Sequence, residues 1–253
     1  MRDAEKIWTA GLLVIGDEIL SGRTHDRNIA QVAGWLQVQG IRLTEVRVVP
    51  DVLEGIAQGV NALRAAYDYV FTTGGIGPTH DDISVDAVAA ALGVPVVIHP
   101  QAQAILETYY ETRGGLTPAR LRMARVPQGA DLISNRISGA PGIRIGNIHM
   151  MAGVPHICAQ MLDSLTGTLQ GGAPLISETI GCRVPESEVA DLLRETEQAH
   201  PACQIGSYPF FRADGAGANF VIRSTDSEAL RRCVDDLSRR LGDAGHQIFP
   251  GEI

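Results

Sequence analysis

A strand that runs into three glycines and out into a helix constrains this chain more than any other stretch. It reads Phe71-Thr72-Thr73-Gly74-Gly75-Ile76-Gly77-Pro78-Thr79-His80-Asp81-Asp82. The apolar run Tyr69 to Phe71 predicts the end of a buried strand, and Ser84 to Leu92 predicts a helix, so the glycines occupy the turn between them. Such turns in α/β proteins hold phosphates. Glycines remove the Cβ atoms that would keep the backbone from a ligand, and the amides at a helix start are free donors in a positive partial field. Asp81 and Asp82 bring carboxylates to a place that attracts anions. Beside a phosphate they would repel it, unless a divalent cation such as Mg²⁺ lies between. A local reading competes: Thr79 and Asp82 have the spacing of a capping box, which would only satisfy the first amides of the helix.

Other strand ends decide how much weight this loop carries. Ile7 to Ile15 is apolar apart from small residues and predicts a fully buried strand of a parallel sheet, closed by Gly16-Asp17-Glu18. Asn28 to Gly40 has helical spacing, Ile41 to Val49 predicts a second strand closed by Pro50-Asp51, and Val52 to Ala66 predicts a helix before the third strand, Asp68 to Thr73. Beyond the helix that begins near Ile83, Val96 to Ile98 predicts a short strand, and Pro100 to Arg113 and Pro118 to Arg125 predict two helices. Asp131 to Pro155 reads as loop and short strands with two small-residue turns, and His156 to Leu169 as a closing helix. Strands alternating with helices of this length imply right-handed crossovers and a parallel sheet covered on both faces. In such sheets ligands bind outside the carboxyl ends of the strands. Asp17 and Glu18, Asp51, and Asp81 and Asp82 follow three successive strands, so one cleft with a glycine-lined phosphate seat and oxygen ligands for a hard ion is expected.

Gly171-Gly172-Ala173-Pro174 is the strongest linker signal, dividing a domain over 1–171 from one over 174–253. Past it, Leu175 to Val184, Gln204 to Tyr208 and Ala218 to Arg223 read as strands, with helices at Pro185 to Ala199 and Asp226 to Leu241. That set makes a small α+β domain.

Composition removes several function classes. The net charge is -8, and the second domain carries eight arginines against thirteen acids, so nucleic acid is not the expected partner. Lys6 is the single lysine, which excludes a Walker P-loop and leaves phosphate binding to amides, arginine or metal. Cys158, Cys182, Cys203 and Cys233 form no CxxC pair and read as buried thiols. No apolar window is long enough for a membrane span and Met1 to Lys6 lack a secretory pattern, so a cytoplasmic protein is expected.

Four stretches in order, Gly16-Asp17-Glu18-Ile19-Leu20-Ser21-Gly22-Arg23 with Asp26 and Asn28, Thr73 to Asp82, Gly139-Ala140-Pro141-Gly142, and Gly153-Val154-Pro155, resemble the molybdopterin-binding (MoaB/Mog) domain family. The resemblance covers roughly residues 7 to 170. It is closest to the form at the N-terminus of competence/damage-inducible (CinA-type) proteins, and Ile205-Gly206-Ser207-Tyr208-Pro209-Phe210-Phe211 is similar to the small domain that follows there. The amidohydrolase domain of many such proteins has no counterpart in this sequence, so nicotinamide mononucleotide deamidation is not expected. Ala152 replaces the first proline of the PGVP turn, Ser84 a threonine, and His156 a glutamate.

The resemblance implies a three-layer α/β/α fold with a mostly parallel sheet, a homo-oligomer, and a nucleotide or pterin phosphate as ligand. The CinA type looks like a metal-dependent ADP-ribose pyrophosphatase, whereas other members bind or adenylate molybdopterin. On this pattern Asp82, Asp51 and Glu18 would hold a divalent metal, Mg²⁺ or Co²⁺. Asp82 and Asp51 would be catalytic, with His80 relaying a proton. Gly74, Gly75, Gly77, Thr79, Ser84, Gly16, Gly139, Pro141, Gly153 and Pro155 would contact the ligand. Arg23 would clamp a phosphate or pair with Asp26. Adenylyl transfer and binding without turnover remain alternatives.

Overall fold

The chain divides into two compact units, Met1–Gly172 and Ala173–Ile253. The computed structural model describes residues 6–212 and 215–252. Residues 1–5, on which the expectation about a leader mostly rested, lie outside the described residues.

The first unit runs β1 (Trp8–Ile15), α1 (Asp17–Leu20), α2 (Asn28–Val38), β2 (Ile41–Val49), α3 (Leu53–Ala66), β3 (Tyr69–Thr73), α4 (Ser84–Leu92), β4 (Val96–Ile98), α5 (Pro100–Tyr110), α6 (Pro118–Leu121), a 3₁₀ turn (Arg122–Ala124), β5 (Arg125–Pro127), β6 (Asp131–Ile133), β7 (Gly142–Ile145), β8 (Ile148–Met151) and α7 (Pro155–Leu165). Six strands form one sheet in the order β2-β1-β3-β8-β7-β6. β2, β1, β3 and β8 are mutually parallel, and β7 and β6 are antiparallel to their neighbours. β1 lies inside this sheet and is buried from Ala10 to Ile15, which is why its sequence shows no alternation.

Successive side chains nevertheless go to opposite layers. Leu13, Ile15 and Val70 pack with Ile56, Val60 and Leu63 of α3 and Val85 and Val88 of α4. Leu12, Val14 and Phe71 pack with Val32 and Leu36 of α2 and Met161, Leu162 and Leu165 of α7. Full burial of a leucine such as Leu12 or Leu63 contributes about 2 kcal/mol, so both layers hold the sheet. The architecture is the expected three-layer, mostly parallel α/β/α fold.

Two segments differ from the expectation. The helix predicted to Arg125 ends at Leu121 and tightens into the 3₁₀ turn, because Arg125, Val126 and Pro127 pair with Ile98, Val97 and Val96. The stretch Asp131 to Pro155 supplies three strands of the main sheet, and β8 adds a fourth parallel strand end beside β3. β8 has four residues, with His149 in its middle. That ring is buried and stacks on Phe71 at 5.0 Å between centroids and 19° between planes.

The second unit comprises β9 (Ile176–Cys182), α8 (Glu186–Ala199), β10 (Gln204–Arg212), β11 (Gly215–Ser224), α9 (Ser227–Asp243) and β12 (Ile248–Pro250). Its antiparallel sheet has the order β10-β11-β9-β12. Ala218, Phe220 and Ile222 alternate inward along β11 against Val189 of α8 and Leu230, Cys233 and Leu237 of α9. β10 carries Pro209 without disruption because it is an edge strand. β12 is too short to have shown a period. No described helix is long and apolar enough to cross a membrane.

Candidate functional site

The carboxyl ends of β1, β3 and β8 and the residues following β2 surround one cleft of about 600 Å³. Strand order reverses here: β2 lies on one side of β1 and β3 on the other, and loops that leave such a pair diverge and open a crevice. The loops are tied to neighbouring strands, with the Gly16 amide donating to Val49 O (3.2 Å) and the Gly74 amide to Met151 O (3.2 Å).

Gly74 and Gly75 have φ of +101° and +69°, a region glycine enters without strain. Their missing side chains make room chiefly for the protein itself. A Cβ on Gly74 would stand 2.2 Å from Ile15 O, one on Gly75 2.0 Å from Ser84 Oγ, and one on Gly77 2.6 Å from Asp82 Oδ2. The expected role in ligand approach is thus joined by one in the packing of the loop itself.

Ser84 is fully buried behind the loop. Its hydroxyl donates to Gly74 O (2.9 Å) and its amide to Gly75 O (3.0 Å), so it shapes the loop and does not line the cleft. One of the first amides of α4 is thereby spent inside the protein. Half of the capping box forms. The Thr79 amide donates to Asp82 Oδ2 (2.7 Å), the Thr79 hydroxyl also bonds Asp82, and the Asp82 amide donates to Thr79 O (3.3 Å). They close a turn ahead of α4, whose N-cap Ile83 has no side-chain cap. Thr79 is therefore engaged with Asp82, while Asp82 itself faces the cleft.

Glu18, Asp51, Asp81 and Asp82 all line this cleft, with Gly16, Gly74, Gly75, Gly77 and Gly153. Asp51 accepts the Asp17 amide (3.0 Å). Burial pushes its carboxyl above the usual carboxylate range, the amide opposes this, and the charges of Asp17, Glu18 and Asp81 add to the rise. No group of three His, Cys, Asp or Glu among the described residues is placed to hold a metal ion. The expected set of Asp82, Asp51 and Glu18 is therefore an acidic wall and not a preformed cage.

Several expected contacts lie elsewhere. His80 has a fully exposed side chain, 4.0 Å from Asp81 and outside the cleft lining, so the geometry gives it no proton to relay. Gly139 is buried against Tyr109, and Pro141 is buried outside the cleft. Pro155 lines a smaller neighbouring cavity. Arg23 is exposed, and among the described residues no ion pair joins it to Asp26.

Apolar side chains share this lining: Ile76 within the glycine loop, and Tyr110, Met123, Ile157 and Met161 from elsewhere in the chain. Sequence reasoning missed the last four as cleft residues, since helical apolar spacing assigns them to a core. Asn135 also lines the cleft, but its amide nitrogen donates to Ser138 Oγ (2.6 Å) and Ala140 O (2.7 Å), and its oxygen accepts the Ile137 amide (3.0 Å). It holds the 135–140 loop in shape.

Comparison with known proteins follows the same division. Residues 11–171 match the probable molybdopterin binding domain family (MoCF_biosynth), and residues 174–247 match the middle domain of FAD synthase. A CinA-like protein of Desulfosudis oleivorans is 36% identical over 211 residues, covering 78% of this chain and 51% of its own. A probable FAD synthase of Caenorhabditis elegans is 31% identical over 268 residues, covering 95% and 51%. This chain thus spans about half the length of either relative. The crystal structure of CinA from Thermoplasma acidophilum, described as of unknown function, superposes with a TM-score of 0.59 at 31% identity, covering 63% of this chain and 96% of that one. Motif order, sheet topology and these similarities agree: the chain belongs to the MoaB/Mog family of probable molybdopterin binding domains and has CinA-like proteins among its relatives.

Proposed function

We propose that the cleft binds a nucleotide pyrophosphate of the ADP-ribose type and hydrolyses it, yielding AMP and ribose 5-phosphate. One observation carries this reading: four carboxylates, glycine backbone and apolar side chains line one cleft. The apolar lining suits a flat ring system, and the amides of Gly75, Ile76 and Gly77 have no acceptor among the described residues and can meet phosphate oxygens, because the bonds that shape the loop use Gly74 and Thr79 instead. The probable FAD synthase relative supports the same chemical class, since FAD joins AMP to a second group through a pyrophosphate.

A phosphate cannot approach Asp51 and Glu18 without a cation, and the Asp51 carboxyl is raised first by burial and further by the charges of Asp17, Glu18 and Asp81 around it. The residues fit a hard divalent ion that takes one or two carboxylates and completes its shell with phosphate oxygens and water. Asp51 and Asp82 would hold it. When bound, such an ion polarises the phosphoryl group and activates water. The chain's own contribution is to orient the pyrophosphate on the loop amides, to exclude water with the apolar lining, and to hold Asp82 through Thr79.

Adenylyl transfer is the second reading, supported by the printed name of the same relative. Purified protein is incubated with ADP-ribose or FAD and Mg²⁺, Co²⁺ or no metal, beside Asp82→Asn and Asp51→Asn. Metal-dependent AMP release, lost in both variants, is expected. A folded protein that binds a nucleotide or molybdopterin yet releases no AMP would reject hydrolysis and favour transfer or binding.

A further inference from the structure

A second cavity, of about 60 Å³, lies on the α2 and α7 side of the sheet and shares Ile15, Glu18 and Gly153 with the cleft. Asn28 and Thr73 line it and are 4% and 1% exposed. Asn28 Oδ1 and Thr73 Oγ1 are both buried and have no hydrogen-bond partner. Buried side-chain oxygens of this kind are rare in folded proteins, and each calls for an explanation. The Asn28 amide nitrogen donates to Gly153 O at 2.8 Å, which fixes the orientation of the amide. Its free oxygen can only accept, so the missing partner is a donor or a cation.

The rest of the wall favours a cation. Asp26 and Glu18 line the cavity, and no ion pair neutralises either among the described residues. Asp26 Oδ1 accepts the Ile29 amide at 2.7 Å. Its charge reaches inward far enough to raise the buried Cys158 thiol, behind the larger effect of burial. Thr24, His25 and Arg27 complete the cavity as exposed residues.

We propose that this cavity is a site for a hard divalent cation, bound by Asn28 Oδ1, Thr73 Oγ1 and the Asp26 carboxylate, with Glu18 between it and the cleft. The ion would tie the start of α2 to the end of β3 and, through Asn28, to the Gly153 turn. The proposal does not depend on hydrolysis in the cleft.

Calorimetric titration with Ca²⁺ and with Mg²⁺, without nucleotide, tests it together with thermal melts. An ion that still binds in Asp51→Asn, and a rise in Tm, are expected. Thr73→Val and Asp26→Asn should each weaken that ion about ten- to a hundredfold, while Asp51→Asn in the cleft leaves its affinity unchanged. Without added ion, Thr73→Val should be at least as stable as the parent, because it removes an unpaired buried hydroxyl. Absence of any ion-dependent Tm shift in the parent protein would overturn the proposal. So would binding that survives Thr73→Val and Asp26→Asn but is lost in Asp51→Asn.

Discussion

The Asp82 carboxylate fills the space that a side chain on Gly77 would need. A Cβ built on Gly77 stands 2.6 Å from Oδ2 and 2.9 Å from Oδ1. Gly16 and Glu18 repeat the relationship, with the built Cβ 2.6 Å from Oε2. Two acids of the cleft are thus folded over glycines, which converts backbone shape into carboxylate position.

Gly77→Ala therefore tests placement separately from charge. Gly77 has no positive φ, so alanine is compatible with its backbone, and the collision falls on Asp82 and its bonds to Thr79. Misplacing a reacting group by about 1 Å costs on the order of 10²-fold in rate. A loss of that size in kcat/KM for ADP-ribose, with an unchanged circular dichroism spectrum, is expected. Parent-like kinetics would mean that the position of Asp82 is immaterial to the reaction.

Ser84 gives the opposite pattern. Ser84→Ala removes the donor to Gly74 O and should lower stability by about 1–2 kcal/mol in urea unfolding. Gly75→Ala should cost more, because it combines the 2.0 Å collision with Ser84 Oγ and a left-handed φ that costs a non-glycine residue roughly 1–2 kcal/mol by itself. A KM change in Ser84→Ala without any loss of stability would return Ser84 to the ligand.

The acids at the cleft were legible because each follows a stretch that reads as a strand, apolar in β1 and β3 and alternating in β2, and parallel topology then brings the strand ends together. Glu18, Asp51 and Asp82 meet for that reason. The direction of a hydroxyl was not legible: Ser84 and Thr79 have the right chemistry, yet both are spent within the loop. Nor was the apolar lining, since Tyr110, Met123 and Met161 come from separate helical segments and obey the same periodicity as core residues. β5 and β12 were hidden by their length of three residues each. The unpaired oxygens of Asn28 and Thr73 depend on packing around α2 and β3, which no local pattern encodes.

The thiols make a reactivity prediction. All four cysteines are buried, and burial pushes Cys158 and Cys233 up to about 12, with the neighbouring Cys203 adding to the rise at Cys233. The thiolate is the reactive form. Iodoacetamide at pH 8 should leave the native protein unmodified and label all four after denaturation. Rapid labelling of native Cys158 would contradict its burial.

His149 links the fold to pH. Burial lowers it from 6.5 to about 4, and both ring nitrogens lack a hydrogen-bond partner, so the folded state holds it neutral. Below pH 6.5 the unfolded chain takes up a proton that the folded one refuses, so stability falls as the pH drops from 6.5 to about 4 and levels off below that. At 1.36 kcal/mol for each pH step, the full loss is about 3 kcal/mol. Other carboxyls titrate in the lower part of this window, so the informative quantity is the difference from His149→Phe, which keeps a ring against Phe71 and cannot bind a proton. Urea unfolding from pH 8 to 4 should give a parent curve that declines relative to the variant below 6.5. Parallel curves would show that His149 is protonated as readily in the folded protein as in the unfolded chain, which the stack on Phe71 in a closed core does not allow.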